Sequence, residues 1–152
     1  MAVKRISLNR KAYHDYDILE SVEAGIVLTG TEIKSVRGGK VNLRDAYAYP
    51  QRGELWLFNA HIARYEGGSR FNHEPTRPRK LLLHRGQIDE LAGKVMQKGL
   101  TLVPLKLYLK NGIAKVELGL AKGRKLYDKR ESIARREAER DLERAMKLAK
   151  RG

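Results

Sequence analysis

The clearest pattern of hydrophobic and polar positions is a pair of alternating runs at residues 105–110 and 113–118, on either side of Asn111-Gly112. Alternation of this kind predicts two strands, each with one apolar and one polar face. Asn-Gly favours a two-residue hairpin turn, because both central residues adopt a positive φ. The resulting apolar pairs are Leu109–Ala114, Leu107–Val116 and Leu105–Leu118, and the pairs on the other face are Lys110–Ile113, Tyr108–Lys115 and Lys106–Glu117. One face should therefore enter a core, and the other should display lysines around a tyrosine.

Weaker patterns predict the remaining elements of a mainly β domain. Further strands are expected at residues 18–28, 41–49, 54–59 with a continuation to 65, and 80–83, and a long exposed loop at 66–79. Helices are expected at residues 84–100, 9–16 and 31–36, the last two capped by Asn9 and Thr31. About six strands and three helices favour a small closed antiparallel barrel of the oligonucleotide-binding (OB) type, because closure removes unpaired strand edges. An open sheet packed on helices would give the same periodicity.

The composition of the chain changes after Ala121. Residues 1–121 carry 20 basic and 12 acidic side chains, whereas residues 122–152 carry 12 and 6 with few large aliphatic residues. So few apolar side chains cannot offset the entropy lost on ordering. We therefore expect a folded domain at residues 1–121 and a basic tail at residues 122–152 that is disordered in solution. The tail is rich in helix formers from residue 132 onward, so it can become helical on a polyanion or pack as a helix against the body.

The charge of the chain points to nucleic acid as a partner. The net charge is +14, and such a surplus attracts polyanions at long range. On the polar face of the hairpin, Tyr108 lies beside Lys106, Lys110 and Lys115, so a base could stack on the ring while the ammonium groups neutralise phosphates. The alternative is a solvated, merely basic strand face.

No residue pattern for catalysis accompanies this charge. The chain has no cysteine, its four histidines are scattered, and it has neither a glycine-rich phosphate loop nor a nucleophile elbow. We expect no catalytic residue, no metal and no cofactor. No apolar run reaches the roughly 18–20 residues that a membrane helix needs, and no apolar signal region follows the first five residues. A cytoplasmic protein without a membrane partner is expected.

Several blocks of sequence resemble the tmRNA-binding proteins of bacterial trans-translation, a family called small protein B or SsrA-binding protein. The blocks are Asn9-Arg10 with His14-Asp15-Tyr16; Glu23-Ala24-Gly25-Ile26; Gly30, Glu32, Lys34, Ser35 and Arg37; Pro75 and Arg79 to Leu83; Thr101 with Pro104-Leu105; and Gly119 to Lys125 with Asp128-Lys129-Arg130. Together these blocks extend over nearly the whole chain.

The resemblance implies a six-stranded OB-type barrel with three short helices, a basic tail and no catalysis. It also implies binding to the tRNA-like domain of tmRNA. The implied complex of alanyl-tmRNA, elongation factor Tu and GTP would enter ribosomes that have stalled without a codon. The tail would then lie, as a helix, in the empty mRNA channel and reach the decoding centre of the small subunit. We expect the protein to be a monomer.

The resemblance also implies functional residues. RNA-binding positions are expected at Asn9, Glu23, Leu82 and Lys115, with Lys34, Arg37, Arg79, Lys80 and Tyr108 as further candidates; ribosome-binding tail positions are expected at Lys122, Arg124, Lys125, Tyr127, Asp128, Lys129 and Arg130. Lys115 suits a phosphate contact, while Glu23 must accept from a base amino group or orient a basic neighbour. Asn9 as a helix cap and Leu82 as a core residue are the structural alternatives. Many relatives carry an aromatic residue where this tail has Ala138, which argues against a distal stacking contact.

Two other functions remain open. A general ribosomal or single-stranded-RNA-binding OB module would need aromatic side chains along one groove. An RNA-processing enzyme would need a metal, and chelation would then abolish its turnover.

Overall fold

The computed structural model describes residues 2–67, 72–97 and 99–124, together with Arg140 and Arg144. Its elements are β1 (Val3–Leu8), α1 (Arg10–Asp15), β2 (Tyr16–Ile26), α2 (Gly30–Arg37), β3 (Val41–Asn42), β4 (Tyr47–Gln51), β5 (Glu54–Phe58), β6 (His61–Ile62), β7 (Arg79–Leu82), α3 (Arg85–Val95), β8 (Leu100–Lys110) and β9 (Ile113–Gly123). The prediction of a mainly β chain with three helices is confirmed. None of the helices among these residues is both long and apolar enough to cross a membrane.

The strands pair in a ring. The antiparallel order is β1-β8-β4-β5-β7-β2-β9, and β9 also pairs with β8. Each of the six strands from β8 to β9 in this order is therefore paired with a neighbour on both sides. β1 is an additional strand on β8, and β3 and β6 form a separate two-stranded ribbon. Because side chains alternate across each strand, the ring has one set of residues directed inward and one directed outward.

Apolar side chains of the ring form the main core. Its most deeply buried members include Leu55, Leu57, Leu81, Leu102, Leu107, Val116 and Leu118. A second, smaller cluster lies beneath α1 and contains Ala12, Val103, Leu105 and Ala121. The outward residues of β2, β7, β8 and β9 are therefore held on a rigid support.

The hairpin turn has the predicted geometry. Asn111 and Gly112 have φ values of 52° and 77°, as a two-residue turn of this type requires. Five of the six predicted pairs are present, from Lys110–Ile113 to Lys106–Glu117. The predicted pairing of Leu105 with Leu118 is wrong. A bulge shifts the register between Pro104 and Lys106, so that Pro104 pairs with Leu118 while Leu105 enters the second cluster.

Several predicted elements are corrected. The strand expected at residues 41–49 is two strands, β3 and β4, and β1 was not predicted because its exposed charged residues obscure the alternation. The second helix begins after Thr29 rather than Thr31, since Thr29 and Glu32 form a capping box. The third helix ends at Val95, short of residue 100. The expected tail positions Lys125, Tyr127, Asp128, Lys129 and Arg130 lie outside the described residues.

Candidate RNA-binding site

Four strands place predicted RNA-binding residues in one row on the outside of the ring. Gly25 of β2 pairs with Leu82 of β7 on one side and with Lys115 of β9 on the other. Lys115 pairs in turn with Tyr108 of β8. Glu23 lies two residues before Gly25 and therefore on the same side of β2. We call the surface formed by Glu23, Gly25, Leu82, Tyr108 and Lys115 the candidate face.

Leu82 projects from the candidate face into solvent. Its side chain is 51% exposed, so it is not a core residue. It covers Gly25, where an added Cβ would lie 3.2 Å from the Leu82 Cβ. A shallow depression at this face is lined by Glu23, Gly25, Leu82, Leu83, His84, Gln87 and Lys115. Gly25 belongs to this site but is not among the residues predicted from the sequence. Its position two residues after Glu23 is the sequence signal for it, and its pairing with Lys115 is seen in the structure.

Glu23 connects the polar residues of the candidate face. Tyr108 Oη donates to Glu23 Oε2 at 2.5 Å, and Lys110 Nζ lies 3.6 Å from Glu23 Oε1. The hydrogen bond from Tyr108 and the charges of Lys110 and Lys115 hold the pKa of Glu23 below its usual value, despite some burial. Burial and the neighbouring Glu23 raise the pKa of Tyr108. At neutral pH the carboxylate is therefore ionised and the phenol protonated, and this geometry favours Glu23 as a residue that orients its neighbours.

Among the lysines at the candidate face, Lys115 is the one whose ammonium group can bind a phosphate most readily. Lys106 is engaged with Glu117 at 3.5 Å, and Lys110 is close to Glu23. Lys115 forms no ion pair within the described part of the chain, although its charge contributes to the lowered pKa of Glu23. Its ammonium group can therefore meet a phosphate without breaking an existing ion pair.

Arg79 and Lys80 are adjacent in sequence but lie on opposite sides of β7. Lys80 points outward and forms an ion pair with Glu54 at 3.0 Å. Arg79 is 0% exposed and donates to Glu32 Oε2 at 2.6 Å, to the Ala60 carbonyl at 2.5 Å and to the Pro75 carbonyl at 2.9 Å. A phosphate contact would require Arg79 to leave these partners, so this geometry gives Arg79 a structural role and does not favour the predicted contact.

The partner of Arg79 is a buried carboxylate. Glu32 accepts from Arg77 at 2.5 Å and from the Thr29 N–H at 2.8 Å, in addition to its bond from Arg79. Burial alone would raise the pKa of Glu32, but these hydrogen bonds outweigh it and lower the pKa. The ionised group thereby joins α2 to β7 and to the segment that precedes β7.

Asn9 is also a structural residue. It is 3% exposed; its side-chain oxygen accepts from the Ala12 N–H at 3.2 Å, and its amide donates to the carbonyls of Leu43 at 3.1 Å and Pro104 at 2.8 Å. These bonds and its burial show that Asn9 caps α1, the structural alternative, while the expected RNA contact at Asn9 stays a prediction.

The other predicted basic residues lie outside the candidate face. Lys34 and Arg37 are exposed on α2, where Lys34 Nζ is 5.1 Å from the centre of the Tyr65 ring. Lys122 belongs to β9, which continues two residues beyond Ala121. Arg124 donates to the His14 carbonyl at 2.8 Å and lies 3.5 Å from Asp17. Lys122 and Arg124 thus lie where the ring passes into the tail.

Comparison with known proteins shows to which family the chain belongs. The SmpB protein family model matches residues 6–148. The SsrA-binding protein of Carboxydothermus hydrogenoformans is 64% identical over 144 residues, covering 95% of this chain and 97% of that protein. The SsrA-binding protein of Shouchella clausii is 61% identical over 149 residues, covering 98% and 96%. A solved structure described as "tmRNA-SmpB: a journey to the center of the bacterial ribosome" is 58% identical with a TM-score of 0.67, covering 77% of this chain and 82% of that chain. Matched over most of its length by the family model and by these relatives, the chain belongs to the SmpB protein family.

Proposed function

We propose that this protein binds the tRNA-like domain of tmRNA and enters stalled ribosomes with it, as an RNA-binding protein and not an enzyme. In trans-translation this step rescues the ribosome and leads to tagging of the incomplete protein. The observation that carries the proposal is the gathering of Glu23, Leu82, Tyr108 and Lys115 on one outer face. Support also comes from the names of the relatives, which are SsrA-binding proteins, and from the solved tmRNA-SmpB structure.

The candidate face suits a folded RNA. Lys115 supplies a cation for a phosphate, and Tyr108 and Leu82 supply apolar surface for a base or ribose. Glu23 holds Tyr108 and Lys110 in place through its hydrogen bond and charge. Outside this face, Lys34 and Arg37 add exposed cations for the RNA backbone, and Lys80 adds a partly exposed one that is paired with Glu54.

The ring and the tail have separate roles in this proposal. The six-stranded ring is a closed OB-type barrel that holds the RNA. The tail follows β9, which pairs as far as Gly123, and lies in the empty mRNA channel as a helix that contacts the decoding centre. The proposed ribosome contacts are Lys122 and Arg124 at the end of the ring and Lys125, Tyr127, Asp128, Lys129 and Arg130 in the tail. The protein acts in the cytoplasm as a monomer, in a complex with alanyl-tmRNA, elongation factor Tu and GTP.

A salt-dependent titration tests the proposal. The affinity of the full-length protein for the tRNA-like domain should fall with salt, and Lys115→Ala should reduce the slope of log K against log salt by about one, because one phosphate contact is lost. Lys40→Ala is the matched control, since Lys40 is an exposed lysine outside the candidate face. Equal slopes for Lys115→Ala and the unaltered protein would contradict the proposal. Equal affinity for an unstructured RNA of the same length would indicate the general single-stranded-RNA module instead.

A further inference from the structure

The outer side of β4 and β5 carries four aromatic residues. Ala48, Leu55 and Leu57 are buried in the core, so the alternating residues Tyr47, Tyr49, Trp56 and Phe58 point outward. Tyr47 is 40% exposed and Tyr49 is 48% exposed, while Trp56 and Phe58 are partly exposed. We call these four residues the aromatic face. A cluster of this kind on the outside of a sheet requires an explanation, because it adds nothing to the core.

The aromatic face is organised in two cross-strand rows. Tyr47 stacks on Phe58, with 5.4 Å between ring centres and 23° between ring planes. In the next row Tyr49 pairs with Trp56, and Trp56 pairs with Lys80 of β7. The second row therefore places two aromatic side chains and an ammonium group side by side on three neighbouring strands.

The aromatic face continues into the candidate face. Lys80 lies two residues before Leu82 on β7, and both side chains are on the outer side of the strand. At the turn that joins β4 to β5, the exposed guanidinium of Arg85 lies close to Gly53. Glu54, at the start of β5, forms an ion pair with Lys80 at 3.0 Å, and both side chains are partly exposed. Because an ion pair that is open to solvent contributes little, a phosphate of an RNA strand that extends from Leu82 onto the aromatic rings can replace Glu54 at Lys80 at small cost.

We propose that the aromatic face binds unpaired nucleotides of RNA, with bases stacked on Tyr49 and Trp56 and a phosphate at Lys80. This inference rests on the proposed function, which it extends to a second surface. Stacking accepts any base because every base has a π face, and proteins recognise single-stranded RNA by combining aromatic rings with cations. A protein partner that covered this face would have to bury Lys80 and Glu54 as well, at the cost of desolvating both charges. RNA instead supplies both an aromatic ring and a negative charge.

The fluorescence of Trp56 tests the inference directly, because Trp56 is the only tryptophan of the chain. The full-length protein is titrated with a short single-stranded oligoadenylate and with an abasic ribose-phosphate chain of the same length. Stacking should quench Trp56 on addition of the oligoadenylate. The abasic chain has the same charge but no base to stack, so it should leave the emission nearly unchanged.

Three variants show whether the effect belongs to the aromatic face. Tyr49→Leu should weaken oligoadenylate binding by about 5- to 100-fold, which corresponds to the loss of one stacked base, while Tyr49→Phe should retain binding. Tyr13→Leu is the matched control, because Tyr13 is 42% exposed on α1 and is not one of the four residues of the aromatic face. This substitution should leave oligoadenylate binding unchanged.

Three outcomes would overturn the inference: equal quenching by both chains, no quenching by oligoadenylate, or equal binding by Tyr49→Leu and Tyr49→Phe. A shift of Trp56 emission with protein concentration in the absence of RNA, with a larger sedimenting mass, would also overturn it by showing a protein interface. The proposed function fails separately. The proposed function would fail if Lys115→Ala bound the tRNA-like domain as the unaltered protein does. That result does not depend on the fluorescence of Trp56.

Discussion

Glu23 is a carboxylate on a surface that is proposed to meet phosphates, and its surroundings explain why it can be there. It is hydrogen-bonded to Tyr108, and Lys110 and Lys115 contribute to its lowered pKa. Glu23, Lys110 and Lys115 together therefore keep a net positive charge even when Glu23 is ionised. The negative charge fixes the positions of its neighbours, so that less side-chain freedom is lost when RNA binds.

Glu32 is a buried carboxylate whose ionisation contributes to stability. Its carboxylate and the guanidinium of Arg79 are both fully buried, and each would be left without its partner if the other were removed. Glu32→Gln should lower the free energy of unfolding by about 3–5 kcal/mol at neutral pH, because it leaves a buried positive charge uncompensated. Denaturant unfolding measures this change. Glu66→Gln is the control, since Glu66 is an exposed carboxylate beside Lys40, and it should have little effect.

The same substitution should change the pH dependence of stability. The pKa of Glu32 in the folded protein is below its ordinary value of 4.5, so its contribution is fully present above pH 4.5 and is lost as the pH falls through the folded-state pKa. Stability should therefore decline less steeply below pH 4.5 in Glu32→Gln than in the unaltered protein. Parallel acid profiles for the two proteins would contradict this role of Glu32.

Single residues also mark the limits of prediction from the sequence. Residue types alone put Arg79 and Lys80 together as basic candidates, but β7 has only four residues, which is too short for alternation to show which one points inward. Asn9 has a side chain that suits a helix cap and an RNA contact equally well. Its bonds to Leu43 and Pro104 depend on contacts between distant segments, which the sequence does not reveal.

At the scale of elements, the hairpin of β8 and β9 was predictable as far as its bulge. Asn111-Gly112 fixes the turn, and strict alternation then fixes five pairs of residues. The next pair that alternation predicts, Leu105 with Leu118, is displaced by the bulge in the structure. The reason is Gly119, which leaves space for the side chain of Leu105. The register is therefore set there by packing in the second cluster.

This packing gives a prediction for Gly119. A Cβ at this position would lie 2.9 Å from Leu105 Cδ1 and 3.2 Å from Ile18 Cγ2, so Gly119→Ala should destabilise the protein by about 1–3 kcal/mol through overpacking. Gly93→Ala is the matched control, because Gly93 lies in α3 with open space around its Cα, and alanine favours the helix by about 0.5–1 kcal/mol. Denaturant unfolding should thus give opposite signs for the two variants. Equal stability of Gly119→Ala and the unaltered protein would contradict the packing explanation.

At the scale of the whole molecule, β9 connects the ring to the tail. The composition changes after Ala121, but β9 pairs as far as Gly123, and the Arg124 N–H donates to the Asp15 carbonyl at 2.9 Å. The change in composition marks where apolar residues become rare, whereas the end of β9 is set by backbone hydrogen bonds. The boundary predicted from composition therefore lies a few residues before the end of the strand.

A truncation after Arg124 tests the separation of the two roles. It should leave the affinity for the tRNA-like domain within about twofold, because the candidate face is intact. It should also abolish tagging in a reconstituted assay with stalled ribosomes, because the tail is missing. Truncation after Ala121 is a less suitable variant, since it removes the end of β9 and the contacts of Arg124. Loss of RNA affinity in the longer variant would contradict the separation.

The central claim is that the candidate face binds the tRNA-like domain, and amide chemical shifts of the full-length protein measured during titration with that RNA test it most directly. The largest changes are expected at Glu23, Gly25, Leu82 and Lys115, which share one outer face. Asn9, buried at the start of α1, serves as the internal reference and should change little. Large changes elsewhere on the ring, with these four amides unmoved at saturating RNA, would contradict the claim.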